Sequence, residues 1–130
     1  MEKNSKRKYK IVPSKSVFSD VDDTLIKWPE PGCNFKNHPE ALELDMFGSP
    51  IWVLPMWSNI NALKKFYESG YEVVVWSLSS KQWAEEVVKR LGIEEWVDYC
   101  VSKPDFFLDD REITHFMLPE KRIYYPYKPE

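Results

Sequence analysis

An α/β domain built on a parallel sheet is the fold this sequence predicts, on three observations. Short apolar runs ending in polar or acidic residues alternate with stretches of helical periodicity, in the order strand, helix, strand, helix, strand. One of these runs, residues 71–77 (YEVVVWS), carries three consecutive valines, as a strand buried on both faces requires. Finally, 130 residues with 43% hydrophobic content suffice for one core and leave no room for a second independent domain.

The elements follow in chain order. Residues 16–19 form a short apolar approach to an acidic cluster and read as a buried strand ending at Asp20. Residues 26–55 then change in composition: Trp28, Pro29, Pro31, Gly32, Pro39, Gly48 and Pro50 break any long helix. Within this segment, residues 41–44 (ALEL) and 51–54 (IWVL) flank a turn over residues 45–50, which predicts a β-hairpin projecting near the strand ends. A helix is expected over residues 58–69, with Ile60, Leu63, Phe66 and Tyr67 on one face, Ser58 as N-cap and Gly70 as stop. The strand at 71–77 follows, then a second helix over residues 81–91, capped by Ser79 or Ser80 and stopped by Gly92. Residues 97–101 and 105–108 are further short strand candidates, and residues 122–127 a last one.

Composition narrows the class. Cys33 and Cys100 have neither a CxxC partner nor a histidine cluster, which argues against a structural zinc and against a disulfide framework. No stretch approaches the roughly 20 apolar residues of a membrane span, and the charged N-terminus does not resemble a signal peptide, so a soluble, cytoplasmic chain without a membrane partner is expected. The net charge of -3 is unevenly placed, since residues 1–15 hold Lys3, Lys6, Arg7, Lys8, Lys10 and Lys15 against Glu2 alone. The expected organisation is therefore a basic arm, 1–15, followed by a single domain, 16–130. Such an arm either attracts nucleic-acid phosphates or is a solvated terminus.

Asp20-Val21-Asp22-Asp23-Thr24-Leu25 presents three carboxylates within four positions, just after an apolar strand. Like charges this close are unfavourable without a compensating cation or proton, which points to a hard divalent metal with oxygen ligands. An acidic cap or a solvated loop is the alternative. Asp109 and Asp110 again follow an apolar run (Phe106, Phe107, Leu108), and two strand ends delivering carboxylates can converge on one ion. Lys103 stands six positions before Asp109, placed to counter that charge. Ser77 ends the valine-rich strand, placed either as a cap hydroxyl or as a donor to a phosphate oxygen.

In this order the four pieces resemble the haloacid dehalogenase-like (HAD) superfamily. Its pattern is D-x-D-x-[TV] after the first strand, a Ser or Thr after the second, a Lys further on, and an acidic pair after the fourth. Here Asp20, Asp22 and Thr24, then Ser77, then Lys103, then Asp109 and Asp110 match it, so the resemblance spans about residues 16–112. It implies a three-layer, Rossmann-like parallel sheet with flanking helices, a hairpin flap at about 26–55 and no large cap. It also implies a phosphatase that hydrolyses a phosphomonoester through an aspartyl-phosphate intermediate. By the same resemblance Asp20 is the nucleophile, and Asp22 protonates the leaving alkoxide and later accepts a proton from the hydrolytic water. Lys103 offsets the phosphate charge, Ser77 and Thr24 lie against the phosphate, and Mg2+ is held by Asp20, Asp22 and Asp109, with Asp110 direct or through water. The carboxylate at Asp22 favours a phosphatase over the family's ATPases and dehalogenases, which lack one there.

With no large cap, the site is expected to be open, which suits macromolecular substrates such as phosphorylated nucleic-acid ends or phosphoproteins. Nucleotides fit if a partner subunit covers the site. Trp28, Phe47, Trp52 and Trp57 either stack on a base or anchor the flap. Arg111 either reaches a second phosphate or pairs with a neighbouring acid. The alternative class is a non-catalytic phosphate- or nucleic-acid-binding module on the same scaffold.

Overall fold

The computed structural model describes residues 14–128; the basic arm, apart from Ser14 and Lys15, lies outside the described residues. Three parallel strands form the central sheet: β1 (Ser16–Ser19), β5 (Glu72–Ser77) and β6 (Tyr99–Ser102), in the order β1-β5-β6. Ser19 lies opposite Val75 and Ser77 opposite Ser102, so all three carboxyl ends open on the same edge. A second, antiparallel sheet of order β2-β4-β3 comprises β2 (Ile26–Lys27), β3 (Leu42–Met46) and β4 (Ser49–Pro55). The two helices are α1 (Trp57–Glu68), packed on β5 and β1, and α2 (Lys81–Leu91), packed on β6, β5 and β3.

The central strand behaves as its valines require. Val73, Val74 and Val75 are consecutive and all buried, because β5 has a parallel neighbour on each side and helices packed against it. Helix α2 buries Trp83, Ala84, Val87, Val88 and Leu91, one stripe at spacings of three and four. Its bounds coincide with the predicted 81–91. Of the two predicted caps, Ser80 is the one used: its hydroxyl accepts the Trp83 N–H at 3.0 Å. Gly92 ends the helix at φ 72°, a left-handed conformation in which a side chain would be strained.

The predicted hairpin is present. Met46 pairs with Ser49, leaving Phe47 and Gly48 as a two-residue loop with φ of 51° and 96°. Positive φ at both positions matches the twist of the flanking strands, and Gly48 supplies one at no steric cost. The Asp45 carboxylate accepts the Gly48 N–H at 2.9 Å and braces the turn.

Four local expectations are corrected. Helix α1 starts at Trp57 with Met56 as its cap and no side-chain capping bond, not at a Ser58 cap. The backbone N–H of Met56 is already tied to the Leu25 carbonyl at 2.9 Å, which sets where β4 ends and the helix begins. Strand β6 begins at Tyr99 instead of residue 97, and just before it the Asp98 carboxylate accepts the Val73 N–H at 2.8 Å. Residues 105–108 are not a strand. The Lys103 N–H donates to the Ser77 carbonyl at 2.9 Å, and Pro104, with no N–H to give, follows; Phe106 and Leu108 are then fully in solvent. Residues 122–127 are not a strand either. They are irregular and held by Asn59, whose side chain donates to the Tyr125 carbonyl and accepts the Tyr125 N–H.

Among the described residues, no helix is long and apolar enough to cross a membrane. The two cysteines differ sharply in environment. Cys33 is exposed, whereas Cys100 is buried in β6 and its thiol is pushed up to about 12, chiefly by burial and further by the Glu85 carboxylate. Because the thiolate is the reactive form, iodoacetamide at neutral pH is expected to alkylate Cys33 in the native protein and Cys100 only after denaturation. Peptide mass spectrometry reads both sites; rapid native labelling of Cys100 would contradict the packing of β6.

Candidate active site

The turn after β1 is built by its apolar members. Val21 and Leu25 are completely buried, and the Val21 carbonyl accepts the N–H groups of Thr24, Leu25 and Ile26 at 3.2, 2.9 and 3.3 Å. With these two side chains anchored in the core, Asp20 and Asp22 are half-buried and Asp23 is exposed, so the alternation of acid and hydrophobe in the sequence becomes a loop of carboxylates over a dry base. Asp23 takes φ 57°, a conformation Asp tolerates better than most residues.

Asp20 is half-buried at the mouth of the sheet. Its Oδ1 meets the Lys103 ammonium at 3.1 Å, and its Oδ2 accepts the Thr24 hydroxyl at 3.3 Å. Lys103 and Asp20 extend from strands on opposite sides of β5, about 10 Å apart at ordinary strand spacing, so a long side chain is needed to close the gap. Ser77 ends the strand between them and is completely buried. Its Oγ accepts the Ser79 N–H at 3.0 Å, which leaves the hydroxyl hydrogen available to donate.

Asp22 is held differently. Its Oδ1 accepts the indole N–H of Trp28 at 2.7 Å and that of Trp83 at 3.1 Å. Asp23 is exposed; it accepts the Trp28 backbone N–H at 3.1 Å and lies 3.9 Å from the Lys27 ammonium. The sequence reading missed Trp83 and Asn59. Trp83 lies on the apolar stripe of α2, and the signal that could have singled it out is that a buried indole N–H requires an acceptor. Asn59 is a polar residue next to Ile60 on the buried face of α1. It donates to the Thr24 carbonyl at 2.8 Å as well as to Tyr125, tying the acidic loop to the C-terminal segment.

The second acidic cluster lies on an irregular segment. Among the described residues, no group of three or more carboxylate, imidazole or thiol side chains is arranged to hold a metal ion. Asp109 accepts the Arg111 N–H at 2.9 Å, and Asp110 is exposed beside the Arg111 guanidinium at 4.0 Å. These are short-range contacts along an irregular segment, the consequence of losing the strand expected at 105–108. Arg111 is thus the partner of a neighbouring acid.

The flap aromatics divide. Trp28 is an anchor, its ring 6.3 Å from that of Trp83, and Trp52 lies half-buried under the Lys36 ammonium at 5.2 Å. Phe47 at the hairpin tip and Trp57 at the start of α1 are exposed.

Fold and site together define an α/β protein with a carboxylate and an ammonium paired at the carboxyl edge of a parallel sheet, beneath an antiparallel flap. No protein-family model, curated protein or solved structure matches the chain.

Proposed function

We propose that the chain is a Mg2+-dependent phosphomonoesterase of the HAD type, on a three-layer Rossmann-like scaffold, working through an aspartyl-phosphate on Asp20. The observation that carries this reading is the 3.1 Å approach of Lys103 to Asp20 at the strand ends, with Thr24 on the other carboxylate oxygen. A carboxylate needs no general base to attack phosphorus; its obstacle is repulsion from the phosphate dianion. An ammonium beside the attacking group offsets that repulsion and stabilises charge on the transferring oxygens. By this reading Ser77, buried at the end of the strand between Asp20 and Lys103, would donate to one of these oxygens.

Magnesium binds through one or two carboxylates plus substrate phosphate and water, and its preference is for hard oxygen. The donor set of the acidic loop fits that chemistry. Asp20 through its carboxylate and Asp22 through its backbone carbonyl would hold the ion, with Asp109 and, directly or through water, Asp110. The ion would supply further neutralisation of the phosphate charge. Asp22 would act as the acid for the leaving alkoxide and the base for the hydrolytic water.

The antiparallel flap is too small to enclose a substrate, which supports a phosphate presented from outside: a polynucleotide end or a nucleotide. The test is hydrolysis of a generic aryl phosphate with Mg2+ and with chelator, followed by nucleoside monophosphates, oligonucleotides phosphorylated at either end, and phosphopeptides. Turnover with Mg2+ that disappears on chelation is expected, with the nucleic-acid substrates fastest. Absence of metal-dependent turnover on every ester would leave the non-catalytic binding module as the better reading.

A further inference from the structure

We infer that Trp28 and Trp83 are positioning residues for Asp22, fixing which of its two carboxylate oxygens carries the proton to the leaving group; this rests on the phosphatase reading above. Both indole N–H groups converge on one oxygen, Oδ1, at 2.7 and 3.1 Å. An indole nitrogen is a donor only, so two of them facing Oδ1 leave no place there for a carboxylic O–H. The proton of the acid form therefore sits on Oδ2.

The two indoles come from different parts of the fold. Trp83 is buried at the start of α2, where its backbone N–H is held by the Ser80 hydroxyl at 3.0 Å. Trp28 follows β2 in the flap, where its backbone N–H is held by Asp23 at 3.1 Å. The backbone of each tryptophan is thus held, the two rings lie 6.3 Å apart, and the carboxylate is clamped between helix and flap. A carboxylate on a loop would otherwise rotate about χ1 and χ2, and misplacement of a proton donor by about 1 Å can cost on the order of 100-fold in rate.

The step balances as follows. The bond from phosphorus to the leaving oxygen breaks as the bond from Asp20 to phosphorus forms. The leaving oxygen keeps the electron pair and takes the proton from Asp22 Oδ2. In the second half, water gives one of its own protons to Oδ2 as its oxygen bonds phosphorus and the Asp20 carboxylate departs; the first proton has left with the alcohol. Oδ1 stays on the two indoles throughout.

The experiment compares wild type with Trp28→Phe, which keeps a ring and removes the donor. The readout is kcat/KM for an alkyl phosphate, whose leaving group needs a proton, and for dinitrophenyl phosphate, whose leaving group does not. kcat/KM reports only steps through release of the leaving group, so the base role of Asp22 does not enter. The ratio of the dinitrophenyl to the alkyl value is expected to rise by about 10- to 100-fold in the variant. An unchanged ratio, with both esters slowed equally, would mean the indoles are structural anchors and overturn the inference while leaving an active phosphatase. A wild type that hydrolyses neither ester would remove the phosphatase reading and the inference with it. A second measurement does not depend on folding of the tryptophan variant. The indole N–H resonances of Trp28 and Trp83 are both expected to shift on Asp22→Ala, and immobility of either would overturn the shared acceptor.

Discussion

Asp20→Asn is expected to abolish phosphate-ester turnover, by a factor on the order of 10,000 or more, because it removes the atom that attacks phosphorus. The substitution keeps the shape of the side chain and leaves the Lys103 ammonium without its anionic partner, an effect on a half-exposed pair that the fold tolerates. Loss of activity with a retained cooperative melt would therefore be chemical, not structural. A rapid quench of the wild type during turnover should yield a peptide phosphorylated on Asp20, visible by mass spectrometry and absent from the variant. Turnover of the Asn variant near the wild-type rate would remove Asp20 as nucleophile, and with it the proposed mechanism.

Trp83→Ala is expected to cost about 3–5 kcal/mol of folding stability, the range for truncating a buried tryptophan. The ring is 2% exposed and packs among Val87, Val88 and the rest of the core, so its removal leaves a cavity. It also withdraws one of the two donors to Asp22 Oδ1. Set against a total of about 5–15 kcal/mol for a typical domain, this loss takes a large share of the margin. Urea denaturation monitored by far-ultraviolet circular dichroism measures it. A loss under about 1 kcal/mol would mean that α2 is not packed against the sheet as described.

Where local pattern and burial agreed, the sequence was legible. The limits of β1 and α2 could be placed from their apolar runs, Ser80 and Gly92, and the hairpin from residues that tolerate its turn. The valine run in β5 marked a strand buried on both faces, and the sheet order places that strand at the centre. The motif order placed Asp20, Ser77 and Lys103 at successive strand ends, and parallel pairing brings those ends to one edge. Legibility failed where an apolar run was read as a strand without asking what would pair with it. Phe106, Phe107 and Leu108 look like β6, yet Pro104 precedes them and none is buried. The acidic pair behind them consequently lies on an irregular segment instead of at a strand end.

The residues and their chain order were enough to assign the α/β class, a strand buried on both faces and the acidic loop, because these depend on periodicity and on where hydrophobic runs stop. The partners of each carboxylate required the folded molecule. Trp83 meets Asp22 across 61 positions, and Asn59 reaches Tyr125 across 66. Such contacts depend on how helices seat against the sheet, a packing outcome that no local pattern encodes. Thus the loop that displays the acids is a local property, and the indoles that orient Asp22 are a consequence of the assembled core.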